Sequence, residues 1–238
     1  MRVFFAFLLL SISCAAQTSI GDILNKANQT LNQQKTTGLS DPKISAGLKE
    51  ALQVSTGKAV AATGKPDGFL KNQAIKILLP EKLRTVGNGL RMVGMGSKVE
   101  DLEVGMNRAA ELAAPKAKAI FLNALSKMTF DDARKILTEG GTSATNYFRR
   151  TSSEDLTTVF TPIVHQSMQK VGVVQQYNQM LNSAPGGQML AGKFDLDKYV
   201  VGKTLDGLFY MLGQEEKNIR QNPAARTTAI MREVFGEK

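Results

Sequence analysis

Tryptophan is absent from this chain of 238 residues, and cysteine and histidine occur once each, as Cys14 and His165. A zinc centre built from His and Cys needs several such side chains, so that chemistry is excluded, and no other metal or cofactor is indicated. A serine hydrolase would have to recruit His165, but no Gly-x-Ser-x-Gly turn is present. His165 follows Val164 on an apolar helical pattern, as a hydrogen-bonded structural histidine would. A single thiol has no partner, so no disulfide can staple the fold, and stability must come from packing. Aromatic residues make up only 6%. The core is therefore expected to rest on Leu, Ile, Val, Met and Ala, which suit helices better than a β-sandwich. No run of alternating strand-like character, internal repeat or low-complexity tract is visible.

The first sixteen residues read as a cleaved signal segment. Arg2 supplies the positive end, Val3 to Ile12 a short apolar stretch, and Ser13, Cys14, Ala15 and Ala16 the small residues that follow. Cleavage after Ala16 would leave Gln17 first. The alternative makes Cys14 a lipidated first residue, although Ser11 stands where a lipoprotein signal usually has Leu. The only cysteine falls where an anchor is required, which favours the second route and membrane attachment without a span. No later segment is long and uncharged enough to cross a bilayer. Residues 17–40 are polar and read as a tether with a short helix around Ile20 to Leu31. Residues 41–238 read as one all-helical domain.

The formal charge is +9, from 30 Lys and Arg against 21 Asp and Glu; removing Arg2 leaves 29 against 21, or +8. Such a charge favours anionic surfaces. The cations are scattered, however, with Arg149-Arg150 the only doublet, and they do not interleave with aromatics as a nucleic-acid groove requires.

Helical periodicity runs through the rest of the chain. Asp41-Pro42 is a start signal, and Ile44, Leu48, Leu52, Ser55 and Ala59 share a face until Gly64, Pro66 and Gly68. Pro80 is expected to divide two helices across Phe69–Leu83. Gly87, Gly89, Gly94 and Gly96 read as a loose or closely packed connection. Val99 to Met128 is helical with a break or kink at Pro115. Thr129 and Asp132 form a capping-box pattern for a helix ending at Gly140-Gly141. Thr142 or Ser143 is expected to cap the next helix, and Ser152 or Ser153 another. Ser183 to Gly187 reads as a loop, Asp195 to Gln221 as a long helix, and Pro223 to Phe235 as the last.

Phosphate-loop signals fail. Gly202-Lys203-Thr204 ends like a Walker A motif, but Asp197 occupies the place of its first glycine. Met92 stands where a dinucleotide fingerprint would need its third glycine. The charged residues are more informative. Val201, Leu205, Leu208, Leu212 and Ile219 define an apolar stripe on the long helix, and Glu215 stands where that stripe continues. A carboxylate there needs a partner. Glu216 and Arg220 can pair along the same helix. Asn107, Arg108 and Glu111 form a second polar cluster beside Met106, Ala110 and Ala114. The expectation is that Arg108 and Glu215 meet in one buried or half-buried network, with a Met- and Leu-lined pocket ending on it.

Four ordered blocks carry a resemblance. They are Gly47-Leu48-Lys49-Glu50-Ala51-Leu52; Asp67-Gly68-Phe69 with Lys76-Ile77-Leu78-Leu79-Pro80; Asn107-Arg108-Ala109-Ala110-Glu111; and Glu215-Glu216-Lys217-Asn218-Ile219-Arg220. Together, over about residues 40 to 236, they resemble the bacterial domain-of-unknown-function family 4197. The resemblance implies a helical, exported protein, often with a lipoprotein-type signal, and no assigned activity. The function expected is a non-enzymatic module of the cell envelope that binds a lipid, a small apolar ligand or an envelope partner in the periplasm or at the membrane. The alternative is a carboxylate-dependent periplasmic hydrolase pairing Glu111 with Glu215 or Glu216.

Overall fold

The computed structural model describes residues 41–184, 187–190 and 194–236. The signal segment, Cys14 and the 17–40 tether lie outside the described residues, as does part of the 183–187 loop. The described residues are helical and contain no strand: α1 (Asp41–Gly64), α2 (Glu81–Met92), α3 (Gly96–Ala113), α4 (Ala117–Ser126), α5 (Phe130–Glu139), α6 (Ser143–Lys170), α7 (Val173–Ser183), α8 (Leu196–Gln221) and α9 (Ala229–Gly236). Single 3-10 turns occupy Ala114–Lys116, Gly187–Leu190 and Pro223–Ala225. None of the helices is long and apolar enough to cross a membrane.

Local signals set several boundaries. Pro115 lies in the 3-10 turn that separates α3 from α4. Thr129 and Asp132 close a full capping box at the start of α5. Asp195 caps α8 by accepting from the Lys198 N–H. The long helices then pack by their apolar faces: α8 lies against α6 and α1, while α3 lies against α6, α2 and α7. Phe121 joins three of them, meeting Phe148 of α6 at 5.0 Å and Phe209 of α8 at 6.1 Å between ring centres. Thus the core is aliphatic in most positions, as the composition implies. Its largest fully buried side chains, however, are five phenylalanines: Phe69, Phe121, Phe148, Phe160 and Phe209.

Three expectations are corrected. First, α6 runs unbroken from Ser143 to Lys170, so Ser152 and Ser153 are interior; Ser153 Oγ donates back to the Arg149 carbonyl one turn earlier. Second, Gly87 and Gly89 belong to α2 and Gly96 opens α3, leaving a tight turn between the two helices. Third, residues 69–79 form turns and then extended chain rather than a helix. Ile75, Ile77 and Leu79, at alternate positions, are all buried. This is the two-residue period of extended backbone, too short to stand out beside the helical runs. Phe69 is buried with them, and Gly207 of α8 makes room for it. A Cβ at Gly207 would lie 2.5 Å from the Phe69 ring.

Candidate functional site

An extended segment crossing a helical core must find partners for its main-chain polar groups, because leaving them buried and unpaired costs about 1–3 kcal/mol each. Helix α3 provides them. Glu103, Asn107 and Glu111 follow one another at four-residue intervals on one face, and all three are buried. The Leu79 N–H donates to Glu103 Oε1 at 3.1 Å. The Ile77 N–H donates to Asn107 Oδ1 at 2.9 Å, and Asn107 Nδ2 returns a bond to the Ile77 carbonyl at 2.8 Å. The N–H groups of Phe69 and Leu70 both donate to Glu111 Oε1, at 3.0 and 3.1 Å. Three side chains thus do for this segment what a neighbouring strand does in a sheet.

Arg108 closes the cluster from the solvent side. Its Nη1 donates to Glu111 Oε2 and its Nη2 to Asp67 Oδ1, both at 2.7 Å. Asp67 has φ 66°, in the left-handed region that Asp and Asn tolerate better than most residues. Its carboxylate also meets Lys71 Nζ at 2.8 Å. Hydrogen bonds from Lys71, and then from Arg108, hold the Asp67 carboxyl below its ordinary pKa. Glu111 chiefly, and Asp67 next, raise that of the Arg108 guanidinium.

A second cluster joins α8 to the start of α6. Thr142, at the N-cap of α6, makes no side-chain cap. Glu216 supplies one from outside. Its Oε1 accepts from the Ala144 N–H at 3.0 Å, and its Oε2 accepts from the N–H and hydroxyl of Thr145 at 2.9 and 2.8 Å. A carboxylate is the right charge for a helix start, where unpaired N–H groups and the dipole both favour an anion. Arg220 pairs with Glu216 through Nε at 3.1 Å and Nη2 at 2.9 Å. The same Nη2 donates to the Ile136 carbonyl of α5 and to Ser143 Oγ. One ion pair therefore fastens α8, the end of α5 and the start of α6.

Every polar candidate read from the sequence thus falls in or beside a cluster, but the expected Arg108–Glu215 pairing is not formed. Arg108 is held by Asp67 and Glu111. Glu215 lies near Lys58 of α1, with its Oε2 4.0 Å from Lys58 Nζ. The buried charge on the apolar stripe is Glu216, one full turn after Leu212, with only 4% exposure. Glu215, one position earlier, is half-buried, and its Oε2 is enclosed with no hydrogen-bond partner among the described residues. Sequence reasoning missed Glu103 and Asp67; the four-residue spacing of Glu103, Asn107 and Glu111 was a signal for the first.

Nor does the expected Met- and Leu-lined pocket adjoin Arg108. The larger opening is a groove of about 500 Å³ between the first half of α6 and the second half of α8. Its walls carry Arg149, Lys217 and Arg220 together with Phe209 and Tyr210, and no carboxylate among the described residues. The Arg149 guanidinium lies over the Phe209 ring, 4.5 Å from its centre. Asp206 is 3.7 Å from Arg149 but outside the groove. Two smaller clefts of about 320 Å³ each do contain carboxylates, Asp132 and Asp155 in one and Asp206 in the other.

His165 is half exposed and fully engaged. Its Nδ1 lies 2.5 Å from Asp197 Oδ2 and its Nε2 2.8 Å from the Gln169 side-chain nitrogen.

These features define an all-α protein whose interior charges serve its own main chain and whose open groove is cationic. The chain belongs to the family described as protein of unknown function (DUF4197), whose model matches residues 38–236. Neither a curated protein nor a solved structure matches it.

Proposed function

We propose that this protein is a non-enzymatic binding module of the bacterial cell envelope, and that it receives its ligand or partner segment in the groove between α6 and α8. The observation that carries the reading is the groove itself. It has the volume of an ordinary small-ligand site, an aromatic wall and unspent polar groups. The other elements of the reading, export and attachment through Cys14, rest on the signal-like first sixteen residues. The competing hydrolase would need two carboxylates facing one cleft. Glu111 and Glu216 instead accept main-chain N–H groups and pair with Arg108 and Arg220, which leaves little capacity for proton transfer.

Gly213 offers a direct test, because it lines the groove and a Cβ there meets nothing closer than Thr145 Oγ1 at 3.6 Å. Gly213→Leu fills the groove from an otherwise undisturbed helix. Native mass spectrometry of protein purified from its own envelope should show a bound species in the wild type that the variant lacks. Empty masses from both would overturn the reading. An acyl group on Cys14 in the same spectra would establish the anchor, and an unmodified mature chain beginning at Gln17 would refute it.

A further inference from the structure

We infer that the α6–α8 groove recognises an oxyanion, a phosphate or a carboxylate, carried on an apolar body; this rests on the groove being the binding site and names what it binds. The groove gathers the charges of Arg149, Lys217 and Arg220, and no carboxylate lines it among the described residues. Glu216 beneath it cannot neutralise all three. Both Glu216 oxygens are taken up by Ala144, Thr145 and Arg220. Arg220 is spent on this pair and on the Ile136 carbonyl, so it sets the field rather than the contact. Arg149, whose ion-pair partner Asp206 stands 3.7 Å away and outside the groove, and Lys217 are the cations placed to reach a ligand. Arg149 is half exposed and its guanidinium lies over the Phe209 ring, presenting a fork of donors that suits two oxygens of one oxyanion. Lys217 forms no ion pair among the described residues and adds a point charge on a long side chain. Beside these charges Tyr210, 45% exposed, offers an apolar face. A neutral apolar ligand would leave the cations desolvated without compensation, and a cation would be repelled.

The oxyanion could belong to a free small molecule or to a lipid headgroup, and the experiment separates them. The ¹⁵N-labelled full chain is titrated with phenyl phosphate, and separately with phenol, at fixed ionic strength. Phenyl phosphate should shift the amides of Thr145, Gly213 and Lys217, whereas phenol should leave them in place. Arg149→Gln and Lys217→Gln should each weaken phenyl phosphate roughly tenfold, the loss expected for one charge-assisted contact. Lys116→Gln, an exposed cation outside the groove, should not weaken it. Equal response to phenol, absence of groove shifts, or an equal loss in Lys116→Gln would overturn the inference. In a second arm the chain is floated with phosphatidylglycerol or phosphatidylcholine vesicles. Flotation with phosphatidylglycerol that Arg149→Gln abolishes assigns the oxyanion to a headgroup. No flotation, with phenyl phosphate still bound, assigns it to a soluble ligand. A neutral species that co-purifies with the wild type and is lost in Gly213→Leu would keep the binding-module reading and sink the oxyanion.

Discussion

The two buried clusters use the same device on different clients. In each, a helix points a carboxylate at main-chain N–H groups of another segment, and an arginine neutralises that carboxylate from the more exposed side. The α3 cluster serves extended chain that has no partner of its own, so its three acceptors replace a strand. The α8 cluster serves a helix that would form in any case, and Glu216 only completes its first turn. The first should therefore specify local conformation, while the second should fix how three helices meet. They differ also in surroundings. Arg108 ends between two acids, Asp67 and Glu111, whereas Arg220 lies beside a groove that carries two further cations, Arg149 and Lys217, and no carboxylate among the described residues.

The largest effect should come from the centre of the α3 row. Asn107 is fully buried and makes three hydrogen bonds, two to Ile77 and one to the Glu103 carbonyl. Asn107→Ala strands the Ile77 N–H and carbonyl, while the Glu103 carbonyl keeps its helical bond, and should cost about 4 kcal/mol in urea unfolding. Amide exchange should quicken over residues 75–79 before anywhere else. A loss below about 1 kcal/mol would mean that the extended segment holds itself by packing alone. Glu216→Gln should be milder, about 2 kcal/mol, since the amide keeps one acceptor but leaves Arg220 without its counter-charge. Its exchange signature should fall on Ala144 and Thr145, leaving 65–80 protected. If both variants loosened the same residues, the two clusters would be one cooperative unit and the contrast would fail.

Most of this architecture was legible from residue spacing, and the places where it was not share a cause. The capping box at Thr129 and Asp132, the break at Pro115 and the long C-terminal helix follow from signals within a few residues of chain. The stretch 69–79 did not, because its conformation is imposed by partners up to 42 residues away, as in the Phe69–Glu111 bond. Likewise, Asn107, Arg108, Glu111, Glu216 and Arg220 were recognisable as needing partners, but the partners are mostly backbone atoms, which carry no sequence signature. Glu215 is half-buried as its place beside the stripe suggested, and the Glu216–Arg220 pair is formed; what spacing along one helix could not give was the neighbour across from Glu215, which is Lys58 and not Arg108. The groove could not be read at all, since Arg149 and Lys217 come together only when α6 and α8 pack.

Next in size is the acid edge of the α3 cluster. Asp67→Asn keeps a residue that tolerates positive φ and removes the charge shared by Lys71 and Arg108 together with one of the two acceptor oxygens. Because the folded state lowers the Asp67 pKa, ionisation favours folding. That contribution is complete above the unfolded value of about 3.9 and disappears as pH falls through the lower folded value. Wild type should therefore be the more stable at pH 7, and the two curves should converge below about pH 4. A difference that persisted unchanged at pH 2 would show that Asp67 acts through shape and not through charge.

The smallest effect is the one that separates the groove from the clusters most sharply. Lys217 sits one residue after Glu216 on α8, so the sequence puts the two in the same charged block, yet the helix turns them in different directions. Glu216 is buried against the start of α6; Lys217 is exposed and makes no ion pair among the described residues. Lys217→Gln preserves length and helix propensity, so unfolding free energy should change by less than about 0.5 kcal/mol, the usual range for a surface position. A cation kept beside two others should even repel them slightly, and its removal should leave the fold equal or marginally firmer. Measured by urea unfolding at low salt, a loss of about 2 kcal/mol would place Lys217 in the structural network with Arg220 and leave the groove with too little free charge to select a ligand.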